Sequence, residues 1–388
     1  MDSNILFVNS KFGFWGGVER YIYDTAEILK SNDFECRGLF ESRSDRTNGF
    51  DEHFVSVDIY DGNLDQIKAL KDSGVSTAFI HKISNPKLLR ELNENFKTIA
   101  FVHDHDYYCL RRHKYFPINR KNCRYSYNPV LCSVCSGLIM KDSSSPVKVK
   151  PVDFRSYIDI FRELKKCDAY IVMSDFMRDN LVNNGFDSRK ITKIYPVKQP
   201  HIISEGSGEG EILYVGQLIR GKGVDLLIEA MRFVRSKCLL RIVGTGNDTD
   251  YIKSLIDKYQ LGGKVKLVGW CDDVGDCYRD CDLVVVPSRW QEPFGMIGAE
   301  AFSYGRPVVG FNVGGIKEWL KDGVNGLITE AGNTRQLAEN IDTLLGNPDL
   351  RKIMGRNGYE MVKNEYSEEV FVEKFQSLLY KMSEGDNV

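Results

Sequence analysis

Five short apolar runs in the second half of the chain constrain its fold more than any other sequence feature. They read EILYVG, LLRIVG, KVKLVG, LVVVPS and RPVVGF, and each ends in a turn, in most cases before a helical stretch. Short continuous apolar runs are typical of strands that are buried on both faces of a parallel sheet. The pattern therefore predicts a doubly wound α/β domain.

The first half of the chain shows the same alternation of apolar runs and helical stretches, but less regularly. A buried strand is predicted from Ile5 to Val8, followed by the glycine-bearing loop KFGFWGGVER and an amphipathic helix through YIYDTAEILK. The runs STAFI, TIAFVH and AYIVMS are further strand candidates. We therefore expect an α/β chain of two Rossmann-like doubly wound domains that face each other across a cleft, with the site at the carboxyl ends of the strands.

The segment QPHIISEGSGEGE, residues 199–211, marks the predicted domain boundary because it has three glycines and few apolar side chains. The prediction is an N-terminal domain over 1–200, a C-terminal domain over 201–365, and a helix over 366–388 that returns to the first domain. Residues 104–150 have little periodicity, four cysteines and a serine run, which predicts an insertion or long loop in the first domain.

Composition limits the choice of partners and compartment. The 388 residues include 52 basic and 54 acidic side chains, so the net charge of −2 gives no general attraction to nucleic acid. No window approaches the roughly 20 apolar residues of a membrane span, and the start MDSNILFVNS does not have the pattern of a signal peptide. Ten cysteines in such a chain predict a reducing cytoplasm, with peripheral contact at the inner face of the membrane left open.

The stretch SRWQEPFGMIGAEAF contains two glutamates around a tight loop. A helix that begins near Phe294, after Pro293, would direct unpaired N–H groups and a positive dipole end at a ligand, which suits a phosphate. Glu292 lies on the loop, and Glu300 lies about two turns into the helix. A carboxylate accepts hydrogen bonds from two neighbouring hydroxyls, so each glutamate could hold one sugar ring. For an isolated pair, a surface glutamate and an ordinary helical glutamate are the commoner explanation.

A second candidate site is the glycine-rich turn in YVGQLIRGKGVDLLIEA. Lys222 is placed where an ammonium group can meet a diphosphate, and Arg220 is a second candidate for that role. The pattern is neither a Walker loop nor a GxGxxG fingerprint, which argues against a kinase or a dehydrogenase. A glycine-rich turn with one lysine is, by itself, as often a solvated turn.

Together these motifs resemble the nucleotide-sugar-binding half of glycosyltransferase family 4. The resemblance rests on EPFGMIGAE, on VGQLIRGKG before it and on VVGFNVGGIKEWLKDGVNGLI after it, and it covers roughly residues 210–340. Before residue 200 it is patchier, although GGVERYI resembles the glycine loop and first helix of the family. Members of this family have the GT-B fold and retain the configuration of the anomeric carbon.

The resemblance implies roles for the residues around the two glutamates. Glu292 would bind hydroxyls of the transferred sugar, and Glu300 would bind the ribose of the nucleotide. The backbone N–H groups of Phe294, Gly295 and Met296 would contact the sugar and the phosphates.

The resemblance also implies roles for residues elsewhere in the chain. Lys222 would neutralise the leaving diphosphate. After the turn glycine, Gly216, the family commonly has an arginine where this chain has Gln217, so either Arg220 supplies the second positive charge or the phosphates are held less strongly. In the first domain, Gly16 and Gly17 would let the loop approach the phosphate, and His103 would line the reaction centre. A histidine at a strand end is more often simply a packed, hydrogen-bonded side chain.

The function implied is transfer of a sugar, with retention, from a nucleotide-diphosphate sugar to a glycan or lipid-linked acceptor in cell-surface polysaccharide or glycolipid biosynthesis. No catalytic metal is required, because Lys222 and the helix N–H groups can stabilise the charge that develops on the diphosphate. Two alternatives stay open, namely a GT-B-fold sugar-nucleotide epimerase and a non-catalytic nucleotide-sugar-binding protein.

Four cysteines in the aperiodic segment suggest a structural zinc site. Cys109, Cys123, Cys132 and Cys135 form C-x13-C-x8-C-x2-C, a pattern that suits tetrahedral thiolate ligation. Such a site would hold together a loop that has too few apolar residues to fold alone. Disulfides and unligated thiols are the alternatives.

The same segment is strongly basic. From Cys109 to Arg124 there are six Lys and Arg residues and no acid, and they include Arg111, Arg112 and Lys114. This pattern indicates either a solvated loop or a platform for an anionic acceptor, such as a lipid diphosphate at a membrane surface.

Overall fold

The computed structural model describes residues 3–116, 121–136, 139–141, 149–151, 153–203, 206–271 and 273–384. The chain divides into two compact units, which we call the first and second units. The first unit comprises Met1–His113, Arg124–Val197 and Glu368–Val388, and the second comprises Lys114–Cys123 and Lys198–Ser367.

The first unit is built on a parallel sheet of seven strands. The strands in this half of the chain are β1 (Asn4–Asn9), β2 (Glu35–Phe40), β3 (Ser56–Ile59), β4 (Thr77–Lys82), β5 (Lys97–Phe101), β6 (Ile139–Lys141), β7 (Val149–Pro151), β8 (Ala169–Val172) and β9 (Ile191–Lys193). The sheet order is β3-β2-β1-β4-β5-β8-β9, and β6 pairs separately with β7 in antiparallel orientation. Because the order reverses between β1 and β4, this point of the sheet is the expected ligand site.

Helices of the first unit connect successive strands, and their ends follow from the sequence. They are α1 (Gly17–Ser31), α2 (Leu64–Asp72), α3 (Pro86–Asn95), α4 (Pro129–Ser136), α5 (Phe154–Leu164) and α6 (Asp175–Asn183), together with the last helix of the chain, α14 (Glu368–Glu384). The side chains of Asn63, Asn85, Asp153 and Ser174 accept backbone N–H bonds at the starts of α2, α3, α5 and α6. These caps satisfy N–H groups that the helices leave unpaired.

The second unit repeats the architecture with a parallel sheet of six strands. The strands are β10 (Glu211–Val215), β11 (Leu239–Val243), β12 (Val265–Gly269), β13 (Leu283–Val286), β14 (Val308–Phe311) and β15 (Gly326–Thr329). Its helices are α7 (Val224–Met231), α8 (Thr249–Lys258), α9 (Gly275–Asp280), α10 (Met296–Ser303), α11 (Ile316–Trp319), α12 (Thr334–Leu345) and α13 (Pro348–Glu365). The sheet order β12-β11-β10-β13-β14-β15 reverses between β10 and β13, which places a second expected ligand site there.

The last helix packs on the first unit. On α14, the ring of Phe375 lies 5.3 Å from that of Phe79 and 6.1 Å from that of Phe34, between centroids. At the start of the helix, Glu368 accepts a hydrogen bond of 3.0 Å from the Asn32 amide. The chain therefore leaves the second unit after Ser367 and completes the core of the first.

The basic segment differs from its prediction as a simple insertion in the first domain. Lys114–Cys123 belongs to the second unit, where the side-chain amide of Gln291 donates to the backbone carbonyls of Lys114 and Cys123, at 2.8 Å each. The segment folds back on itself, since Cys123 N donates to Lys114 O at 2.7 Å. Backbone groups of a loop need partners when they are buried, and Gln291 supplies them here.

Among the helices of the described ranges, none is long and apolar enough to cross a membrane.

Candidate functional site

The loops that follow β10 and β13 are bonded to each other at the point where the sheet order of the second unit reverses. The backbone N–H groups of Arg289 and Trp290 both donate to the carbonyl of Gly221, at 2.9 and 3.2 Å. A Cβ at Gly221 would overlap the ring of Trp290. Gly223 has a φ of +71°, and a Cβ there would overlap the carbonyl of Pro287. Glycine is therefore required at both positions for the loops to meet.

A bidentate ion pair fastens the second loop to the start of α7. The guanidinium of Arg289 bonds both carboxylate oxygens of Asp225, with a distance of 2.8 Å from Nη2 to Oδ2, and Nη1 also donates to Arg220 O at 3.1 Å. Such paired charge-assisted bonds fix geometry as well as adding stability. Reasoning from the sequence missed this pair, although Arg289 lies three residues before Glu292 in the motif.

The carboxylate of Glu292 is buried, and three hydrogen-bond donors converge on its Oε1. They are Lys222 Nζ at 2.7 Å, Ser288 Oγ at 2.6 Å and Trp290 Nε1 at 2.8 Å. Burial acts to raise the pKa of Glu292, but the charge of Lys222 and the three hydrogen bonds outweigh it and hold the pKa below its usual range. The structure thus brings together two predicted residues, Lys222 and Glu292, as a salt bridge in a buried setting.

The backbone on either side of Glu292 is held by the segment that follows β14. The N–H of Gly315 donates to Glu292 O at 2.6 Å, and Gly314, with a φ of +54°, leaves no room there for a Cβ. The indole of Trp319 donates to Phe294 O at 2.6 Å. The glycine pair and the tryptophan of GFNVGGIKEW therefore hold the backbone of the loop that carries Glu292.

Helix α10 begins at Met296, two residues later than predicted. Gly295 has a φ of +89°, outside the helical range, so it ends the loop as the residue before the helix. No side chain caps α10 at Gly295, and none caps α7 at Gly223. Two helices thus begin at this edge of the sheet with their N–H groups uncapped by side chains, an arrangement that favours an anion.

Glu300 lies in the second turn of α10 and is held by two partners. Its Oε1 accepts from Lys198 Nζ at 3.1 Å, and its Oε2 accepts from the Tyr278 hydroxyl at 3.2 Å. Burial, together with the neighbouring Glu300 carboxylate, raises the pKa of Tyr278 well above its usual value, so the hydroxyl keeps its proton and donates.

Arg220 is engaged elsewhere in the second unit. Its Nε donates to Asp248 at 3.2 Å, its Nη1 lies 3.5 Å from Asp225, and the guanidinium stacks 3.9 Å above the ring of Tyr251. Burial acts to lower the pKa of Arg220, but these two carboxylates raise it. The charge of Arg220 is thus balanced by two acids.

Gly216, the predicted turn glycine, adopts a φ of +149°, where other residues are strained.

The glycines at the start of α1 differ from those of the second unit. Gly16 has a φ of −171°, and a Cβ at Gly17 would meet nothing within 4 Å. A Cβ at Gly16 would meet only the Glu19 carboxylate, at 3.8 Å. The fold of the first unit therefore does not require glycine at either position, and the space beside them is open within that unit.

His103 follows β5 and forms a hydrogen bond with a second histidine. Its Nε2 lies 2.9 Å from Nδ1 of His81, and its ring packs 4.4 Å from that of Phe101 and 5.2 Å from that of Tyr21, between centroids. Burial, then the charges of His81 and Lys82, lower the pKa of His103 well below its usual value. The imidazole is therefore neutral at physiological pH.

Beside these histidines, one lysine bridges two carboxylates. Lys82 Nζ is bonded to Asp104 and, at 2.7 Å, to Asp106. Burial and the neighbouring Asp104 raise the pKa of Asp106 to about 7. Reasoning from the sequence missed this cluster, although DHD directly after the predicted strand TIAFVH could have indicated it, since polar residues at strand ends share one edge of a parallel sheet.

The zinc prediction concerns Cys109, Cys123, Cys132 and Cys135, which all lie in the described ranges. No group of three or more His, Cys, Asp or Glu side chains within the described ranges is arranged to hold a metal ion, and no disulfide joins any of the ten cysteines, all of which are described. Cys132 and Cys135 lie on α4 in the first unit. Cys123 belongs to the second unit, where its backbone bonds to Lys114 and to the side-chain amide of Gln291. The zinc site therefore stays a prediction.

The family match found by comparison with known proteins lies in the second unit. Residues 198–361 match the family model of glycosyl transferases group 1. An uncharacterized glycosyltransferase of Methanocaldococcus jannaschii is 34% identical over 198 residues, which are 50% of this chain and 55% of that protein. A second one from the same organism is 28% identical over 367 residues, 86% of this chain and 89% of that protein.

A third relative is the capsular polysaccharide biosynthesis glycosyltransferase CapM of Staphylococcus aureus. It is 30% identical over 181 residues, which are 44% of this chain and 47% of that protein. The chain thus spans about half the length of these curated relatives, except for the second archaeal protein.

Among solved structures, HepE of Anabaena in complex with UDP has a TM-score of 0.72 at 18% identity and covers 97% of this chain and 100% of that chain. This likeness shows the fold. The predicted fold class is confirmed as two parallel-sheet Rossmann-like domains of the GT-B type.

The carboxyl pair beside Lys82 predicts a pH-dependent stability. The pKa of Asp106 is about 7 in the folded chain and 3.8 as its ordinary value, so between these values the folded state binds more protons and its stability falls as pH rises. The substitution Asp106→Asn removes this decrease in stability with rising pH. The melting temperature of the variant minus that of the wild type should therefore be more positive at pH 8 than at pH 5, and a constant difference would contradict the assignment.

Proposed function

We propose that this protein is a retaining glycosyltransferase that moves a sugar from a nucleotide-diphosphate sugar to a glycan or lipid-linked acceptor. The observation that carries the proposal is the ion pair between Lys222 and the buried Glu292 at the switch point of the second sheet, beside two helix starts without side-chain caps. The family match over residues 198–361 and the glycosyltransferase relatives support it. CapM supports a role in cell-surface polysaccharide or glycolipid biosynthesis.

In the proposed mechanism, the second unit stabilises the departing diphosphate. Cleavage of the bond between sugar and phosphate builds negative charge on the phosphate, and Lys222 with the starts of α7 and α10 offers fixed positive charge for it. An ammonium has three N–H donors, so Lys222 can keep its bond to Glu292 and still meet a phosphate oxygen. These groups supply the electrostatic stabilisation, so we propose that no catalytic metal is required. The HepE complex with UDP is consistent with a nucleotide ligand on this fold.

The two glutamates are proposed to bind the rings on either side of the diphosphate. Only one oxygen of Glu292 receives the three bonds described above, and we propose that the carboxylate binds hydroxyls of the transferred sugar. Glu300 would exchange part of its contact with Lys198 and Tyr278 for the ribose. The backbone N–H groups of Phe294, Gly295 and Met296 would contact the sugar and phosphates.

The first unit is proposed to supply the acceptor side. Gly16 and Gly17 are glycines that its fold does not need, which supports a role in leaving space for the phosphates. His103 would line the reaction centre. For retention, we propose that the acceptor hydroxyl attacks from the face that the leaving group occupies and that the leaving phosphate takes the proton, so that neither enzyme carboxylate has to act as a nucleophile.

The substitution Glu292→Gln tests the proposal. The amide oxygen can still accept from Ser288 and Trp290, but the charge that pairs with Lys222 is lost. A hydrogen bond to a charged group contributes about 1.5–3 kcal/mol, so kcat/KM should fall about 10- to 100-fold. Turnover is measured with UDP-, GDP-, TDP- and ADP-sugars chosen by the rise in melting temperature that each causes.

The matched control is Glu339→Gln on the exposed face of α12, which should leave turnover unchanged. Full activity of Glu292→Gln would contradict the assigned role. If the wild-type protein releases an altered nucleotide sugar without any acceptor, it is an epimerase. If it turns over none of the nucleotide sugars, it is a binding protein.

We further propose that the protein works in the cytoplasm and contacts the inner face of an anionic membrane through the first unit. Helix α4 exposes Val130, Leu131 and Val134 on one side, with residue exposures of 73%, 59% and 79%. The basic turn after Cys109 belongs to the same unit as α4. An apolar helix face and a basic turn on one unit suit an anionic lipid surface.

The structure changes which basic residues should matter at that surface. Arg112 is exposed in the turn after Cys109, whereas Lys114 is 4% exposed and belongs to the second unit. Substitutions Arg112→Ala and Val134→Ser together should weaken partitioning onto phosphatidylglycerol vesicles at least about tenfold, since a basic residue near the surface contributes about 1 kcal/mol and a buried valine about 1.5.

Binding is measured by sedimentation with the vesicles. Ile353→Ser, which removes an exposed aliphatic side chain from α13, is the control and should have no effect. Equal binding of both variants and the wild type would refute the membrane proposal.

A further inference from the structure

His81 is a fully buried polar side chain in the core of the first unit. It lies on β4, and its ring is surrounded by Phe7, Phe79 and Phe101, with centroids at 5.6, 4.4 and 5.9 Å. Burying a polar group costs free energy unless it is hydrogen-bonded, so a histidine among phenylalanines is expected to have a hydrogen-bond partner. Among the described residues, the His81 ring forms one hydrogen bond, between its Nδ1 and Nε2 of His103, at 2.9 Å.

The other ring nitrogen of His81 has no hydrogen-bond partner among the described residues. Burial lowers the pKa of His81 to about 3, and the pKa of His103 is also well below its usual value. Both rings are therefore neutral, and each carries one proton on one of its two nitrogens. The bond between them requires that one ring donates and the other accepts.

The two possible arrangements differ in what they leave unpaired. If His103 donates from Nε2, His81 must carry its own proton on Nε2, and a buried N–H is then left with no acceptor. If His81 donates from Nδ1, only a lone pair on its Nε2 is left unpaired. Orphaned buried N–H groups are rarer in proteins than acceptors with unused lone pairs, so the second arrangement is favoured.

We propose that His81 is a positioning residue that fixes His103 in the tautomer protonated on Nδ1. This inference rests on the proposed function, in which His103 lines the reaction centre. In that tautomer Nε2 is occupied as an acceptor, and Nδ1–H is an available donor. His103 therefore offers a hydrogen bond to a hydroxyl or phosphate oxygen of the substrate and does not remove the proton of the acceptor.

The surrounding charges are consistent with a neutral donor. Lys82, next to His81 in sequence, is close enough that its charge disfavours a cationic His103. The Lys82 ammonium is itself bonded to Asp104 and Asp106, the acids that follow His103 in sequence. Residues on β4 and after β5 thus act together to keep the imidazole uncharged while His81 selects its tautomer.

The test is the tautomer of His103, measured by ¹⁵N NMR of the full chain with labelled histidine. The chain has six histidines, and the variant His103→Gln assigns the signal by its loss. The wild type should show His103 protonated on Nδ1 and unprotonated on Nε2. A protonated Nε2 in the wild type would overturn the inference.

Two variants distinguish a role of His81 in fixing the tautomer of His103 from a role in packing alone. His81→Phe keeps a ring among the phenylalanines but removes the donor, so His103 should shift towards the tautomer protonated on Nε2. His81→Asn keeps an N–H near the position of Nδ1 and should preserve the wild-type tautomer. An unchanged His103 tautomer in folded His81→Phe, checked by circular dichroism, would also overturn the inference.

Turnover gives a second measurement, with whichever of the UDP-, GDP-, TDP- and ADP-sugars the wild type uses. His81→Phe should lower kcat about 10- to 100-fold, as for outer partners that orient a histidine at metal sites, with little change in KM, and His81→Asn should recover most of it. Equal losses in both variants would contradict the role of the donor. If the wild type uses none of these sugars, the proposed function fails, and the NMR result still decides the role of His81.

Discussion

The bond between Lys222 and Glu292 is the interaction on which the organisation of the second unit depends. A carboxylate as buried as that of Glu292 stays charged only because a cation and two further hydrogen-bond donors compensate for lost water. Those donors come from two loops, so the loops must be held in register. Gly221 and Gly223 permit the close approach, and the Arg289 pair with Asp225 fastens it. The charged pair and the close contact of the two loops therefore depend on each other.

Sequence patterns predicted the buried strands well, but among the edge strands of the two parallel sheets they predicted only β12. Runs such as LVVVPS are apolar because they are covered on both faces, whereas β3, β9 and β15 lie at sheet edges or are very short. β2 is interior but contains Arg37 and Gly38, which interrupt its apolar pattern. The predicted start of α10 was two residues early because the φ of Gly295 cannot be read from the sequence.

The candidate site residues likewise divide into those that sequence motifs indicated and those that only the structure brings together. Motif spacing pointed to Glu292 and Lys222, and the structure joins them. Motif spacing in the sequence could not reveal the pair of His81 with His103, which belong to no common motif. Only the sheet order makes β4 and β5 neighbours. The zinc prediction, which stays untested, meets a related limit. Cysteine spacing says nothing of which unit each segment joins, and Cys123 is held by Gln291 in the second.

The most direct measurement of the central claim is the affinity for UDP, GDP, TDP and ADP, by titration calorimetry, of the wild type and of the double variant Lys222→Met/Glu292→Gln. The double change avoids leaving one buried charge without its partner. We expect the diphosphate that binds the wild type best to bind the variant at least about tenfold more weakly, a loss of about 1.4 kcal/mol. Equal affinity in the two proteins, or no binding of any of the four to the wild type, would contradict the account.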